Sequence, residues 1–373
     1  MRLVHLTLRN YRNYAALDLE PDPGLNVFLG ANGHGKTNLL ESVALLALSS
    51  SPRARREMEL IGPIAPEARV HAGVESMGRL REIRFGISAQ GDPPPTGTWP
   101  WAATRARKRI EVDGQARRAL DLPGIFRVSL FWPDDLNLAK AGPEHRRRLL
   151  NQMLVQVEAG YAPALARFTR TVEQRNSLLK QIVVGQQPVS ALDVWDRQMA
   201  DLGHVLVAAR REAVAALQVE AAATHATISG GERLELRYLG PPDDLPAAIE
   251  SARGEDLRRG SSSVGPHRDD VSITIDGRDA RSFASQGQQR TAVVSLKLGE
   301  ASVIAQRTGE PPVLLLDDVL SELDPARRAA LLGRLTAAGQ VIITSVEADP
   351  FPPEVIGRSL VRRISGGSVS SCG

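Results

Sequence analysis

The stretch FLGANGHGKTNLLES, Phe28–Ser42, places three glycines within six residues and follows them with a lysine. Gly30, the four residues Ala31, Asn32, Gly33 and His34, then Gly35, Lys36 and Thr37 fill every position of the phosphate-binding template Gly-x-x-x-x-Gly-Lys-Ser/Thr. In that template the glycines let backbone N–H groups curl round a polyphosphate, the lysine (Lys36) reaches the β- and γ-phosphates, and the hydroxyl (Thr37) ligates Mg²⁺. The template also demands a strand before the loop and a helix after it. LNVFLG, entered through Pro23 and Gly24, supplies the apolar run, and Leu39, Leu40, Val43, Leu46 and Ala47 recur with a helical period. The helix N-terminus then turns its partial positive charge toward the phosphates. A glycine-rich turn without a ligand is the weaker alternative once template and context agree.

Working outward, 373 residues are enough for two or three units with a real core. The chain carries 46 Lys and Arg against 43 Asp and Glu, a net +3; residues 1–150 hold 22 against 16, and the rest 24 against 27. An arginine-biased first half suits an anionic partner, and an ordinary solvated surface explains it equally well. The one cysteine, Cys372, lies in SGGSVSSCG, a tail expected to be disordered, which excludes a disulfide framework and a cysteine-based zinc site. The start MRLVHLTLRNYRNY lacks the apolar core of a signal peptide, and no run approaches the roughly 18 apolar residues that span a bilayer. A cytoplasmic protein is expected.

LVHLTLR and AALDLEPD alternate as half-buried strands do, and residues 66–130 mix alternating pieces such as REIRFGIS and RIEVDG with the proline-rich break GDPPPTGTWP, an expected exposed loop. This is a β-rich lobe. From Glu144 the period becomes helical, through Leu149, Leu150, Met153, Leu154 and Val157 to Tyr161, Leu165, Phe168 and Val172. A second series runs Trp195, Met199, Leu202, Leu206 and Ala209 beyond the Gly/Pro-containing VVGQQPVS. Two helices folded back on each other predict a short antiparallel arm. Strand pattern returns in DDVSITIDG, followed by a helical GQQRTAVVSLKLGEASVIAQ and then by VLLLDD.

VLLLDD is an apolar run ending in paired carboxylates, the way a buried strand in phosphate-loop proteins delivers an aspartate, here Asp317, to the Mg²⁺ shell. Asp318 then faces the attacking water as base or positioner; a strand followed by a polar turn is the plainer reading. In SELD, Asp324 stands just before Pro325 and suits a helix N-cap, with or without a further role. SFASQGQQR sets Ser285, Gln286, Gly287 and Gln288 at the start of a helix, a second phosphate-binding device.

Loop, SQGQQ signature, LLLDD and SELD in this order resemble the ABC-type ATPases. Together with LRNYRNY, FWPDDLNLAKAGPEHRRR and VGPHRDD they resemble the RecF family of bacterial DNA-repair proteins over residues 1 to about 345. The resemblance implies an α/β, SMC-like, ABC-type P-loop ATPase head (1–142 plus 257–373, with the β-rich lobe at about 66–130) and an inserted antiparallel helical arm (143–256). It implies a protein that dimerises on ATP, binds single- and double-stranded DNA at gaps, and acts with RecR and RecO in recombinational repair, replication restart and the SOS response, with weak ATP hydrolysis as a switch. Carried over by position, Gly30–Thr37 cradle ATP, Lys36, Asp317 and Asp318 are catalytic, Thr37 and Asp317 hold Mg²⁺, and Ser285–Gln288 reach the partner's γ-phosphate. Arg12 is a candidate nucleotide contact.

The chain departs from the ABC pattern in three places, the first being that no glutamine loop can be located. VIITSVE offers Thr344 and Ser345 where a switch histidine is usual, and Asp318 is one methylene shorter than the usual glutamate. Candidate DNA contacts are Arg53, Arg55 and Arg56, then Arg105, Arg107, Lys108 and Arg109, and the HRRR run from His145; each is equally an ordinary solvated face. Trp99 and Trp101 make base stacking a weak expectation, and His267 suits a turn cap or a functional contact equally. The ATPase subunit of a membrane transporter shares loop, signature and carboxylates, and ranks second. A GTPase switch ranks third because no Asn-Lys-x-Asp sequence reads guanine.

Overall fold

The computed structural model describes residues 1–90, 105–321, 323–335, 339–349 and 351–371. Trp99, Trp101, Cys372 and the whole GDPPPTGTWP break lie outside them.

Leu25–Leu29 and Val313–Asp317, both expected as strands, form the middle of a parallel sheet together with Val341–Ser345. All fifteen of their residues are buried, as expected of strands covered on both faces. Val341–Ser345 lies between the other two, and Val128–Phe131 and Leu360–Ser365 flank them. The sheet ends in Ser368–Ser371, antiparallel to Leu360–Ser365 across a Gly366–Gly367 turn with φ of +55° and +81°. The tail is therefore a hairpin rather than a disordered segment: two residues with positive φ make the tight turn that matches strand twist, and two glycines adopt it without strain.

A six-stranded antiparallel sheet, in the order Tyr14–Leu19, Arg2–Tyr11, Glu67–Ser76, Arg79–Gln90, Arg105–Val112 and Gln115–Arg117, forms the β-rich lobe. The loop helix Lys36–Leu48 is packed between the two sheets. Its Leu39, Leu40 and Val43 share one cluster with Leu6, Val70 and Phe85 of the lobe and with Phe28 and Ile342 of the parallel sheet.

On the other side of the parallel sheet the helical pattern resolves into three helices, Pro143–Val157, Tyr161–Val183 and Leu192–Ser229. The first sequence series is broken at Glu158–Gly160, and Pro163, which has no N–H to donate, fits the first turn of the second helix. Tyr161–Val183 folds back on Leu192–Ser229, as expected. The latter is 38 residues, about 57 Å at 1.5 Å per residue, longer than the short arm expected. It runs on to lie along the signature helix Gln286–Thr308, where Gln306 bonds Glu220, Arg307 pairs with Glu212, and His225 Nδ1 stands 3.3 Å from Ser295 Oγ. One hydrophobic cluster is continuous from Val27 and Leu316 through Val293 and Leu217 to Phe168 and Ile249.

VGPHRDD is the joint of this assembly. Asp269 Oδ2 accepts from Arg210 Nη1 (2.6 Å) and the Tyr238 hydroxyl (2.5 Å), and Asp270 accepts both Arg146 Nε and Nη2 (2.6 and 2.9 Å). His267 Nε2 lies 3.0 Å from the Ser262 carbonyl, with its ring against Phe168.

Candidate functional site

The carboxyl ends of the parallel strands converge on one constellation, the place where open α/β sheets bind ligands. Gly33 and Gly35 take φ of +80° and +116°, and a Cβ at Gly35 would stand 2.7 Å from the Asn13 side chain, so glycine is required there. The loop is braced from behind. Tyr14 Oη donates to Gly35 O (2.9 Å), while Asn13 Nδ2 and the Gly367 amide donate to His34 O (3.0 and 3.1 Å). Lys36 is 6% exposed, and its Nζ donates to Gly30 O (2.6 Å) and Ala31 O (3.1 Å). Burial pulls its pKa below that of a free lysine, and Asp318 and Asp317 pull it part of the way back.

Asp317 is fixed from both sides. Its Oδ2 accepts from Thr37 Oγ1 and its Oδ1 from Thr344 Oγ1, each at 2.7 Å. The Asp318 amide donates to Thr344 O and Oγ1 (3.2 and 3.1 Å), and Asp318 takes φ +52°. Thr344, noted in the sequence where a histidine is usual, is thus the buried residue that bonds the Asp317 carboxylate and holds the Asp318 backbone. A hydroxyl touching a carboxylate is a donor pair suited to a hard cation, so Thr37 and Asp317 fit Mg²⁺, which when bound neutralises phosphate charge.

The signature lies elsewhere on the chain. Ser285 caps its helix: Oγ accepts from the Gln288 amide (3.2 Å) and Gln288 Oε1 from the Ser285 amide (2.9 Å), a reciprocal capping box. Gln288 Nε2 donates to Glu232 Oε1 (3.1 Å), Arg327 lies 3.8 Å from that carboxylate, and a Cβ on Gly287 would meet Arg327 Nη1 at 2.8 Å. Glu232 and Arg327 were not singled out in the sequence, because nothing in their spacing ties them to the signature. Ser285 and Gln286 are exposed, as is Phe283 at 70%. Asp324 does cap its helix, Oδ1 accepting from the Arg327 amide at 3.0 Å.

Arg12 makes a bidentate pair with the fully buried Glu41 of the loop helix (2.9 and 2.7 Å) and donates from Nη1 to Glu59 O (2.9 Å). Of the basic runs, HRRR is the one the structure removes from the surface in part: Arg146 is 7% exposed and holds Asp270, Leu138 O and Ala141 O. Arg53, Arg55, Arg56, Arg105, Arg107 and Arg109 are exposed. Lys108 is turned to Glu57 and to Ser49 O. Arg107 and Arg109 line a cleft of about 980 Å³ on the open face of the lobe sheet, with Arg9, Arg69 and Arg84.

The profile described as "RecF/RecN/SMC N terminal domain" matches residues 2–353. DNA replication and repair protein RecF of Heliobacterium modesticaldum is 37% identical over 99% of both chains. The chain belongs to the RecF family. RecF of Symbiobacterium thermophilum is 40% identical, covering 94% of this chain and 92% of its own. Among solved structures, the recombination mediator protein RecF-ATPrS in the RecFOR pathway superposes with a TM-score of 0.87 at 30% identity, covering 100% of this chain and 98% of that one. An Smc head bound to the C-winged helix domain of ScpA, at TM-score 0.56 and 14% identity, shares the fold. Family and fold make this chain a DNA replication and repair protein with the ATP-binding head of the RecF and SMC ATPases, and set aside the transporter and GTPase readings. Among the described residues no helix is long and apolar enough to cross a membrane.

Proposed function

We propose that this RecF relative is a cytoplasmic switch that two chains close around ATP, binding DNA at gaps and acting with RecR and RecO in recombinational repair, replication restart and the SOS response. The observation that carries the dimer is the split of the site. Lys36, Thr37, Asp317 and Thr344 are in mutual register on one chain, while Ser285 offers an exposed helix N-terminus whose own-chain partners are Glu232 and its own helix. Phe283, exposed beside the signature, gives the second chain an apolar surface to cover. Under two-fold symmetry each signature meets the other chain's loop, and ATP stabilises the pair by contacting both. The γ-phosphate is the bridge, so ADP leaves monomers. Asp318 positions the attacking water, and its short side chain fits weak hydrolysis. In this reading 143–256 is an arm on a head made of 1–142 and 257–373, Arg12 positions the loop helix beside the nucleotide through Glu41, and the exposed arginines at 53–56 and 105–109 meet DNA phosphates.

Light scattering tests it. The wild type dimerises with ATP and stays monomeric with ADP. Ser285→Arg binds ATP without dimerising, and Asp318→Asn retains the ATP dimer because hydrolysis is blocked. An ATP-independent dimer, or normal ATP-driven dimerisation of Ser285→Arg, overturns the shared site.

A further inference from the structure

Away from the nucleotide site, three adjacent strands of the lobe sheet bring together His5, His71 and Glu82, with their nearest nitrogen and oxygen atoms all within 4.8 Å of one another. His71 Nε2 stands 2.5 Å from Glu82 Oε2, His5 Nε2 stands 3.7 Å from the same oxygen, and the imidazoles meet edge to face with centroids 5.0 Å apart. Among the described residues this is the one group of three or more His, Cys, Asp or Glu so arranged.

Two features of the backbone place His5 there. Strand Arg2–Tyr11 carries a bulge between Leu3 and His5: Leu3 pairs with Val74 and His5 with Gly73. The extra residue lets Leu3 and Leu6 both point into the core while His5 points out, a common way for a bulge to re-aim a side chain. Opposite it, a Cβ on Gly73 would stand 2.5 Å from His5 Nδ1 and 3.3 Å from Glu82 Oε1, so the absent side chain leaves the notch the ring occupies. Glu82 is held in register by its amide, which donates to Asp113 Oδ1 at 2.9 Å. The nearest cation in register, Arg84 opposite His71, has Nη1 3.9 Å from Glu111.

We propose that His5, His71 and Glu82 form a site for one divalent transition-metal ion of the zinc class, with a fourth position open to water. Two imidazole nitrogens and one carboxylate oxygen are a zinc donor set, and bonds of about 2.0–2.1 Å require donors roughly 3.3 Å apart, between the two separations observed. The side chains are 30–35% exposed, which leaves an entry path and room for the small rotations needed.

Untagged, chelator-treated full-length protein is titrated with Zn²⁺ by calorimetry and with Co²⁺ by visible absorption. One ion per chain is expected, with four-coordinate Co²⁺ bands and a higher melting temperature in Zn²⁺. His5→Ala, His71→Ala and Glu82→Gln each weaken binding at least about tenfold. His204→Ala, at an exposed histidine of the long arm helix, leaves it unchanged. Absence of binding in the wild type, unchanged affinity in His71→Ala and Glu82→Gln, or loss of the ion in His204→Ala each overturns the assignment. Unchanged nucleotide affinity of the variants shows that they remain folded.

Discussion

Lys36 owes its place to the loop's own carbonyls, so removing its charge takes away the phosphate cation without opening the core. Lys36→Met is expected to abolish measurable ATP binding while changing stability by no more than about 1 kcal/mol, checked by nucleotide titration and urea unfolding. Undiminished affinity would remove the lysine from the site. His267 behaves differently. Burial holds its pKa below that of a free histidine, and the neighbouring Arg268 and Arg147 add to the cost of protonating a ring that lies against Phe168. Its neutral form therefore contributes stability that is fully present above about pH 6.5 and is lost as pH falls toward its folded value. The melting temperature should drop on acidification from pH 7.5 to 5.5, and His267→Gln should flatten that slope; an equal slope in both proteins would assign the effect elsewhere. The positions legible in the sequence were those that sit in a contiguous motif, Gly30–Thr37 and Asp317 with Asp318, even though Thr37 and Asp317 meet across 280 residues. The contacts of Thr344, Glu41, Asn13 and Tyr14 were not, since each meets a partner distant in sequence: Thr344 bonds Asp317, Glu41 bonds Arg12, Asn13 bonds the His34 carbonyl and Tyr14 the Gly35 carbonyl.

Elements were legible where burial imposed one pattern. The buried parallel strands Leu25–Leu29 and Val313–Asp317 read as mainly apolar runs, and the amphipathic helices as period 3.6. The tail escaped because Gly, Ser and Val in SGGSVSSCG have the composition of a flexible end, and its strand exists through pairing with Leu360–Ser365. Near the arm's tip the helices are held by Arg175, fully buried, whose Nε and Nη1 donate to Asp196 (2.6 Å) and Asp256 (2.7 Å), and whose Nη1 also reaches Ser262 Oγ (2.9 Å). Arg175→Leu should destabilise the protein by about 3–5 kcal/mol, because Asp256, 1% exposed, is left as an uncompensated buried carboxylate. Urea unfolding measures it, and a loss below about 1 kcal/mol would mean that the pair is not formed in solution.

At the scale of the molecule, the proposed contact of DNA phosphates with the exposed arginines at 105–109 ties affinity to salt. Affinity should fall steeply with salt, and the triple variant Arg105→Ala, Arg107→Ala, Arg109→Ala should lower it while making the slope of log K against log salt shallower by roughly 2–3. An unchanged slope would place the DNA elsewhere. The order of strands in the parallel sheet bears on how the protein is made. Leu25–Leu29 is bonded on one side to Val341–Ser345 and on the other to Leu360–Ser365, so neither neighbour exists until some 310 further residues have left the ribosome, roughly 15–60 s at ordinary translation speeds. Throughout that interval a strand apolar but for Asn26 stands with both edges open, a substrate for chaperones that hold nascent chains. The nucleotide loop, translated among the first segments, is among the last to acquire a floor.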